Sequence, residues 1–170
     1  GGDENRKMRR LFRAYSPTES PQSNCLLKDR ILVENHDEDY ITDCHIMSIG
    51  SNDQWGFEEE VISSPKLRGC VTHTFDCTLR NNKPRNKPQN DNVKFYPYCI
   101  GSEGEQPSYL PFNQMWSLTQ TKQAPKFLKM DVEGFEFDVV LNSILSSDSS
   151  IWPEQIMMEI HWATRMVDLA

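Results

Sequence analysis

The sequence predicts an α/β domain built around a mostly parallel β-sheet. Short apolar runs rich in β-forming residues alternate with helical or long polar segments, the pattern of parallel strands joined by crossover connections. Several of these runs are followed directly by Gly, Asp or Glu residues, and parallel sheets bind ligands at that end of their strands. The length of 170 residues and the hydrophobic content of 37% suit one domain with its own core.

An N-terminal helix and extension at 1–43 is expected to precede the main domain at 44–170. Four apolar residues recur at helical spacing near the start of the chain: Met8, Leu11, Phe12 and Tyr15. Ser16 and Pro17 would end this helix, because the residue before a proline avoids the helical region.

Five strands are expected in the main domain. They correspond to the runs 45–49, 70–75, 93–100, 126–132 and 155–160. Pro97 lies inside the third run and predicts an edge or bulged strand, because proline cannot donate a hydrogen bond to a neighbour. The segment 80–92 carries no apolar side chain apart from its prolines and is expected to be an exposed loop.

Helices are expected between these strands. The predicted helices cover 57–63, 112–118 and 137–145, and a further one begins near Ala163. Pro65 ends the first of them, because proline lacks the backbone N–H that a helix needs. The third has apolar residues at helical spacing, including Phe137, Val140 and Ile144.

The charge balance disfavours a nucleic-acid partner. The net charge is −7, whereas nucleic-acid binders usually carry an excess of basic residues. Basic clusters at 6–13 and 80–87 are interpreted either as solvated surface or as local patches for an anionic partner. The chain lacks an apolar stretch of transmembrane length and an apolar signal-peptide region, and it begins without Met. A cytoplasmic location and a secretory lumen therefore both stay open, and no membrane segment is expected.

Five cysteines are present, at Cys25, Cys44, Cys70, Cys77 and Cys99. Their odd number and the lack of a C-x-x-C spacing argue against a zinc site. Cys70, Cys77 and Cys99 lie in or beside apolar segments and are expected to be buried thiols. Cys25 and Cys44 could pair, but only in an oxidising compartment.

The residues after the first two strands are candidates for ligand binding. Gly50, Ser51 and Asn52 form a turn that lets a ligand approach the backbone closely. This turn lacks the G-x-G-x-x-G spacing of dinucleotide folds, which counts against a dehydrogenase. Asp76 follows the second strand and is placed to accept ribose hydroxyls. The alternative is that Asp76 caps a helix or is a solvated carboxylate.

The ends of the fourth and fifth strands carry three acids and a histidine. Residues two apart in a strand face the same way, so Asp131 and Glu133 are expected to project together, as are Glu159 and His161. If the two strands are neighbours, these groups converge and suit a general base or a divalent metal site. The alternatives are that Glu133 caps the following helix, that Glu159 pairs with a lysine and that His161 is structural.

Three of these segments resemble a known family. The segment 129–136, K-M-D-V-E-G-F-E, is similar to the K-[IM]-D-[VI]-E-G-x-E motif of FkbM-type S-adenosylmethionine-dependent methyltransferases. The segment 48–57, S-I-G-S-N-D-Q-W-G-F, resembles the first cofactor-binding motif of animal methyltransferase-like proteins. The segment 73–76, H-T-F-D, resembles the second-strand motif with its ribose-binding acid. The resemblance spans about residues 44–162.

The resemblance implies a Rossmann-like class I methyltransferase sheet, truncated here after the fifth strand of a family fold with seven. It implies S-adenosylmethionine as cofactor, with binding residues Gly50, Ser51, Asn52, Asp76 and Asp131. The catalytic candidates are Asp131, near the methyl-transfer centre, and His161 or Glu159, as the base. If a divalent metal is used, its expected ligands are Asp131, Glu133 and Glu159. The acceptor implied is a hydroxyl on a small molecule or glycan.

Two other functions are kept as alternatives. A non-catalytic binding module with this fold is favoured by Ser48 and Gln54, which stand where many class I enzymes have an acid and a glycine, and by the missing strands. An RNA or DNA methyltransferase is disfavoured by the acidic charge balance. The sequence carries no signal for the oligomeric state.

Overall fold

The structure is a computed structural model that describes residues 44–101 and 108–161. The extension at 1–43, including the helix expected at Met8–Tyr15, lies outside the described residues, as does the helix expected near Ala163.

The described residues form an α/β fold with two sheets. Their strands are β1 His45–Ile49, β2 Val71–Phe75, β3 Val93–Tyr96, β4 Cys99–Ile100, β5 Tyr109–Leu110, β6 Phe127–Met130 and β7 Gln155–Met158. The main sheet has the order β3-β2-β1-β6-β7, and each of its pairings is parallel. The predicted α/β class and parallel sheet are confirmed, and the architecture is compatible with a Rossmann-like fold.

The helices lie between the strands, largely where they were expected. They are α1 Gly56–Ser63, α2 Phe112–Leu118 and α3 Glu136–Val139, and α3 continues into a π-helical turn at Val140–Ile144. Single 3₁₀ turns occur at Arg80–Asn82 and Ser149–Ile151. Within the described residues, no helix has both the length and the apolar character required to cross a membrane.

The third predicted strand is divided at Pro97. The Tyr98 N–H donates to the Tyr96 carbonyl at 2.9 Å, which closes a tight turn around the proline. β3 before the turn is an edge strand of the main sheet, whereas β4 after it pairs with β5 in a separate two-stranded parallel sheet. The expected edge position is therefore confirmed, but the expected continuous strand is wrong.

The main sheet has a core on each face, as alternation along the strands requires. On one face Ile46 packs with Val61 of α1 and with Leu67. On the other face the larger cluster joins strand residues to α2, α3 and the π-helical turn. Its members with the least exposure include Met47, Phe75, Phe112, Met115, Leu128, Met130 and Ile144. Each such side chain contributes roughly 1.5–3 kcal/mol through burial.

Four of the cysteines form two disulfides, Cys44–Cys70 and Cys77–Cys99. The expectation that Cys70, Cys77 and Cys99 are free thiols is therefore wrong, as is the pairing of Cys44 with Cys25, which lies outside the described residues. The sheet register explains the first pair. Because His45 is opposite Val71, the preceding residues Cys44 and Cys70 meet with a Cα–Cα distance of 4.6 Å.

Candidate functional site

The predicted site residues lie side by side along the carboxyl edge of the main sheet. Backbone hydrogen bonds continue one residue beyond the strands: Gly50 N donates to Phe75 O, Asp131 N to Ile49 O and Glu159 N to Met130 O, at 3.0–3.1 Å. Asp76 N is held in the same way by Tyr96 O of β3. The strand order reverses between β1 and β6, and ligands of open parallel sheets bind at this switch point. The fourth and fifth predicted strands, β6 and β7, are neighbours, which was the condition for their acids to converge.

Gly50 is required by the close approach of two strand ends. Its φ is +80°, and a Cβ atom placed on it would lie 1.8 Å from the Asp131 carbonyl oxygen. The turn that follows also has positive φ at Asn52 (46°) and Asp53 (59°). The glycine therefore allows the turn after β1 to lie directly against the end of β6.

The Asp76 carboxylate holds the Gly50–Asn52 turn. Its Oδ2 accepts hydrogen bonds from Ser51 N (2.9 Å), Ser51 Oγ (3.2 Å) and Asn52 N (2.6 Å). Its Oδ1 accepts from Thr78 N (2.7 Å) and Thr78 Oγ1 (2.6 Å). Burial raises the pKa of Asp76, but these hydrogen bonds outweigh it and lower the pKa overall.

Asp76 is only 3% exposed, so it is neither a solvated carboxylate nor free of partners. A carboxylate offers about four lone-pair sites, and the protein's own donors already use that capacity. A ribose hydroxyl could reach this group only by replacing one of them, for which the Ser51 hydroxyl, at the longest distance, is the candidate.

Lys129 is a half-buried cation beneath this edge to which sequence reasoning gave no role. Its Nζ donates to the Gly50 carbonyl and so ties β6 to the turn after β1. Burial lowers the pKa of Lys129, while the nearby carboxylates of Asp131, Glu58 and Asp76 oppose this shift. Lys129 therefore offsets part of the negative charge that gathers at the carboxyl edge.

His161 is surrounded by four carboxylates. Its Nε2 lies 3.6 Å from Glu133 Oε2, 3.7 Å from Glu159 Oε1 and 3.9 Å from Asp131 Oδ1. Its Nδ1 lies 2.9 Å from Glu136 Oε1, and Glu136 is only 1% exposed. The Glu136 hydrogen bond raises the pKa of His161 most, and it also lowers the pKa of Glu136 against the effect of burial. Because the ionised Glu136 can only accept, Nδ1 carries its proton and Nε2 faces the other three acids.

The three acids and the histidine converge as predicted, but the alternation of side chains along a strand is not what brings them together. β6 ends at Met130 and β7 at Met158, and Glu133 has a φ of +54°, so neither Glu133 nor His161 is a strand residue. The alternative that Glu133 caps the next helix is wrong, because the N-cap position of α3 is Phe135 and no side chain bonds there. In the described residues the ion pair found for Glu159 is with His161 rather than with a lysine.

Glu136 is the site residue that sequence reasoning missed. It appeared only as the last letter of the 129–136 motif, and its partner is 25 residues away in the sequence. The available signal was the helical spacing of Glu136 from the apolar Val139 and Val140, which places an acid on the apolar face of the helix, where a buried carboxylate requires a partner.

Three ligand atoms of this cluster are arranged as a metal site would require. Single ligand atoms of Asp131, Glu159 and His161 all lie within 4.8 Å of one another. Asp131 Oδ1 is buried and has no hydrogen-bond partner within residues 44–101 and 108–161, and Glu136 orients the imidazole from behind, as acids do behind metal-bound histidines. This set includes His161 in place of the expected Glu133, whose side chain is 82% exposed.

A cavity of about 710 Å³ lies away from the carboxyl edge. It is lined by residues of β1, β2 and β3, including His45, His73, Lys94 and Tyr96, and by the segment 118–123 at and after the end of α2. Burial lowers the pKa of His73 to about 4, so this ring is neutral at pH 7. None of the predicted site residues lines this cavity.

Comparison of the chain with protein-family models, with curated proteins and with solved structures gave no match. Function is therefore inferred from the chain's own residues and geometry.

Proposed function

We propose that this chain is an S-adenosylmethionine-dependent methyltransferase that acts on a hydroxyl of a small molecule or glycan. The observation that carries the proposal is the meeting of Gly50 and Asp131 at the switch point of the parallel sheet. The turn after β1 and the Asp131 carboxylate lie together there, beside a histidine held by a buried carboxylate.

The charge of the edge suits the cofactor. S-Adenosylmethionine supplies an electrophilic methyl group on a sulfonium cation, and an acidic edge favours a cation. Among the described residues Asp131 Oδ1 has no hydrogen-bond partner, and the ion pair found for it is with the His161 ring, so a bound cation would supply a charge that this carboxylate can stabilise. Gly50, Ser51 and Asn52 would approach the amino-acid and ribose portion, and Asp76 keeps that turn in shape. Methyl transfer is an in-line displacement, so holding the reactants in position contributes most of the catalysis.

Removal of the acceptor's proton is assigned to His161, with Glu159 as the other candidate. In the proposed reaction the acceptor hydroxyl gives its proton to His161 Nε2, while Glu136 fixes the ring through Nδ1. If a divalent metal takes part, Asp131, Glu159 and His161 would hold it. Mixed carboxylate and imidazole ligands suit ions such as Mn²⁺, Fe²⁺ or Zn²⁺, and the ion would lower the pKa of a bound hydroxyl.

A non-catalytic binding module is the second candidate. It is favoured by the Asp76 carboxylate, which is fully used by Ser51, Asn52 and Thr78 and so offers no spare acceptor to a ribose. In that case the edge would be a structural remnant without affinity for the cofactor.

Calorimetric titration with S-adenosylhomocysteine tests the proposal. We expect the oxidised wild-type chain to bind S-adenosylhomocysteine with micromolar affinity. In a parallel titration with S-adenosylmethionine, which carries the sulfonium charge, we expect Asp131→Asn to bind at least tenfold more weakly than wild type. Glu154→Gln is the matched control, because Glu154 is an exposed acid that precedes β7 at the opposite end of the sheet. Absence of binding by a folded wild-type chain would overturn the proposal and favour the non-catalytic module.

A further inference from the structure

We infer that the Cys77–Cys99 disulfide positions the proposed cofactor turn, so that cofactor affinity depends on the oxidation state of this one bond. The expected change in cofactor affinity rests on the proposed function, whereas the expected effect of the disulfide on the turn does not. The two disulfides lie at opposite ends of the strands. Cys77 and Cys99 follow β2 and β3 at the carboxyl edge, whereas Cys44 and Cys70 precede β1 and β2 at the amino edge.

A short series of contacts leads from this disulfide to the turn. Cys77 stands between Asp76 and Thr78, and Thr78 supplies both donors to Asp76 Oδ1. The other oxygen of Asp76 holds Ser51 N and Asn52 N. The covalent link to Cys99 therefore anchors the segment whose carboxylate fixes the turn after β1.

The turn depends on outside support. Asn52 and Asp53 both have positive φ, a conformation that costs about 1 kcal/mol or more for residues other than glycine unless contacts hold it. Asp53 Oδ1 also accepts from Arg85 N (3.0 Å) and Asn86 N (3.3 Å), which belong to the long loop that begins at the Cys77 segment. Lys129 also ties the Gly50 carbonyl to β6, but the contacts that hold Ser51, Asn52 and Asp53 from Asp76 and from the 85–86 loop come from the chain that follows β2.

The two disulfides differ in how accessible they are to a reductant in solution. Cys77 and Cys99 are half-buried, whereas Cys44 and Cys70 are only 3% and 2% exposed. A dithiol can therefore reach the Cys77–Cys99 bond first. In this reaction the S–S bond breaks, the dithiol gives two electrons and two protons and becomes a disulfide, and Cys77 and Cys99 become thiols.

The two disulfides together also agree with folding in an oxidising compartment, where such bonds persist. The oxidised chain would then be the form that binds cofactor. Transfer to a reducing environment would switch binding off without unfolding the sheet, because the buried Cys44–Cys70 bond and the core stay in place.

The test compares two double variants, C77S/C99S and C44S/C70S. Each is studied by hydrogen–deuterium exchange of the 50–54 amides without ligand and by calorimetry with S-adenosylhomocysteine. For C77S/C99S we expect at least tenfold faster exchange at Ser51 and Asn52 and at least tenfold weaker binding. For C44S/C70S we expect a lower melting temperature, with exchange at the turn and binding within threefold of wild type.

Stepwise reduction of the folded wild-type chain by dithiothreitol provides a second route if a variant does not fold. Loss of the more exposed bond alone should reproduce the C77S/C99S result. Unchanged exchange at 50–54 after loss of Cys77–Cys99, or equal effects of the two bonds, would overturn the inference. If exchange increases as expected but the oxidised wild type binds no S-adenosylhomocysteine, the positioning role stands and the proposed function fails.

Discussion

At the scale of single residues, Gly50 shows how one position determines the geometry of the edge. The same site requires a left-handed φ and leaves no room for a Cβ atom, because the Asp131 carbonyl lies 1.8 Å from where that atom would be. Sequence reasoning identified Gly50 as a turn residue that admits a ligand. It did not identify the Asp131 backbone as its neighbour, since that contact depends on the pairing of β1 with β6.

Gly50→Ala should destabilise the fold by about 2–4 kcal/mol, because it adds both overpacking and backbone strain. Two other glycines separate these causes. Gly134 has a φ of +99° with open space around its Cβ position, so Gly134→Ala should cost only about 1 kcal/mol. Gly56 has open space and lies in α1, so Gly56→Ala should be neutral or stabilising. Urea unfolding measures all three, and equal effects at Gly50 and Gly134 would contradict the close contact.

The charged residues show a limit of sequence reasoning at the same scale. Asp131, Glu159 and His161 were predicted together from the strand ends, and they do converge. Lys129 and Glu136 were not assigned roles, although Lys129 binds the Gly50 carbonyl and the buried Glu136 binds His161. Their importance comes from what lies opposite them after folding, which a single sequence does not specify.

At the scale of elements, the local sequence pattern predicted which strands and helices form better than it predicted where they are interrupted. The five apolar runs became strands of the main sheet because β-branched and aromatic side chains suit its two buried faces. The run through Pro97 was divided between two sheets, and the helix after β6 became α3 followed by a π-helical turn. Both differences depend on the pattern of backbone hydrogen bonds, and the spacing of apolar residues in the sequence does not report this pattern.

The π-helical turn has a capping role that yields a prediction. The N-cap position of α2 is Pro111, which has no side-chain cap, and the buried Phe112 N–H instead donates to Ser143 Oγ at 2.8 Å. Ser143→Ala leaves this donor without a partner and should lower the free energy of unfolding by about 1–3 kcal/mol. Ser146→Ala is the control, because its exposed hydroxyl bonds only to nearby carbonyls and its loss should cost under 0.5 kcal/mol. Similar losses in both variants would argue against the cap.

At the scale of the whole molecule, the sheet separates two chemical environments. The carboxyl edge gathers acids around His161, whereas β1 and β2 carry His45 and His73 farther from this edge, and burial lowers the pKa of both rings. The two disulfides were also not predicted from the sequence. Their pairing follows from which strands are adjacent and in which register, whereas the position of Cys70, Cys77 and Cys99 in or beside apolar segments suggested buried thiols.

The buried histidines predict how stability depends on pH. The pKa of His73 is about 4 in the folded chain against 6.5 ordinarily, so the unfolded state binds the proton more tightly. Unfolding then takes up a proton between these values, and stability falls as the pH is lowered. From pH 7 to pH 5 the loss from His73 should be about 2 kcal/mol. Urea unfolding of wild type and His73→Phe at both pH values checks this, and an equal loss in the variant would contradict the assignment.

The central claim is that the carboxyl edge of the sheet binds S-adenosylmethionine. Hydrogen–deuterium exchange of the oxidised chain with and without saturating S-adenosylhomocysteine tests it most directly, because it locates the ligand without knowledge of the acceptor. We predict slower exchange in the 50–54 turn and in 131–136, with little change around the cavity lined by His45 and His73. Protection at that cavity, or none at the edge of a folded chain, would contradict the claim.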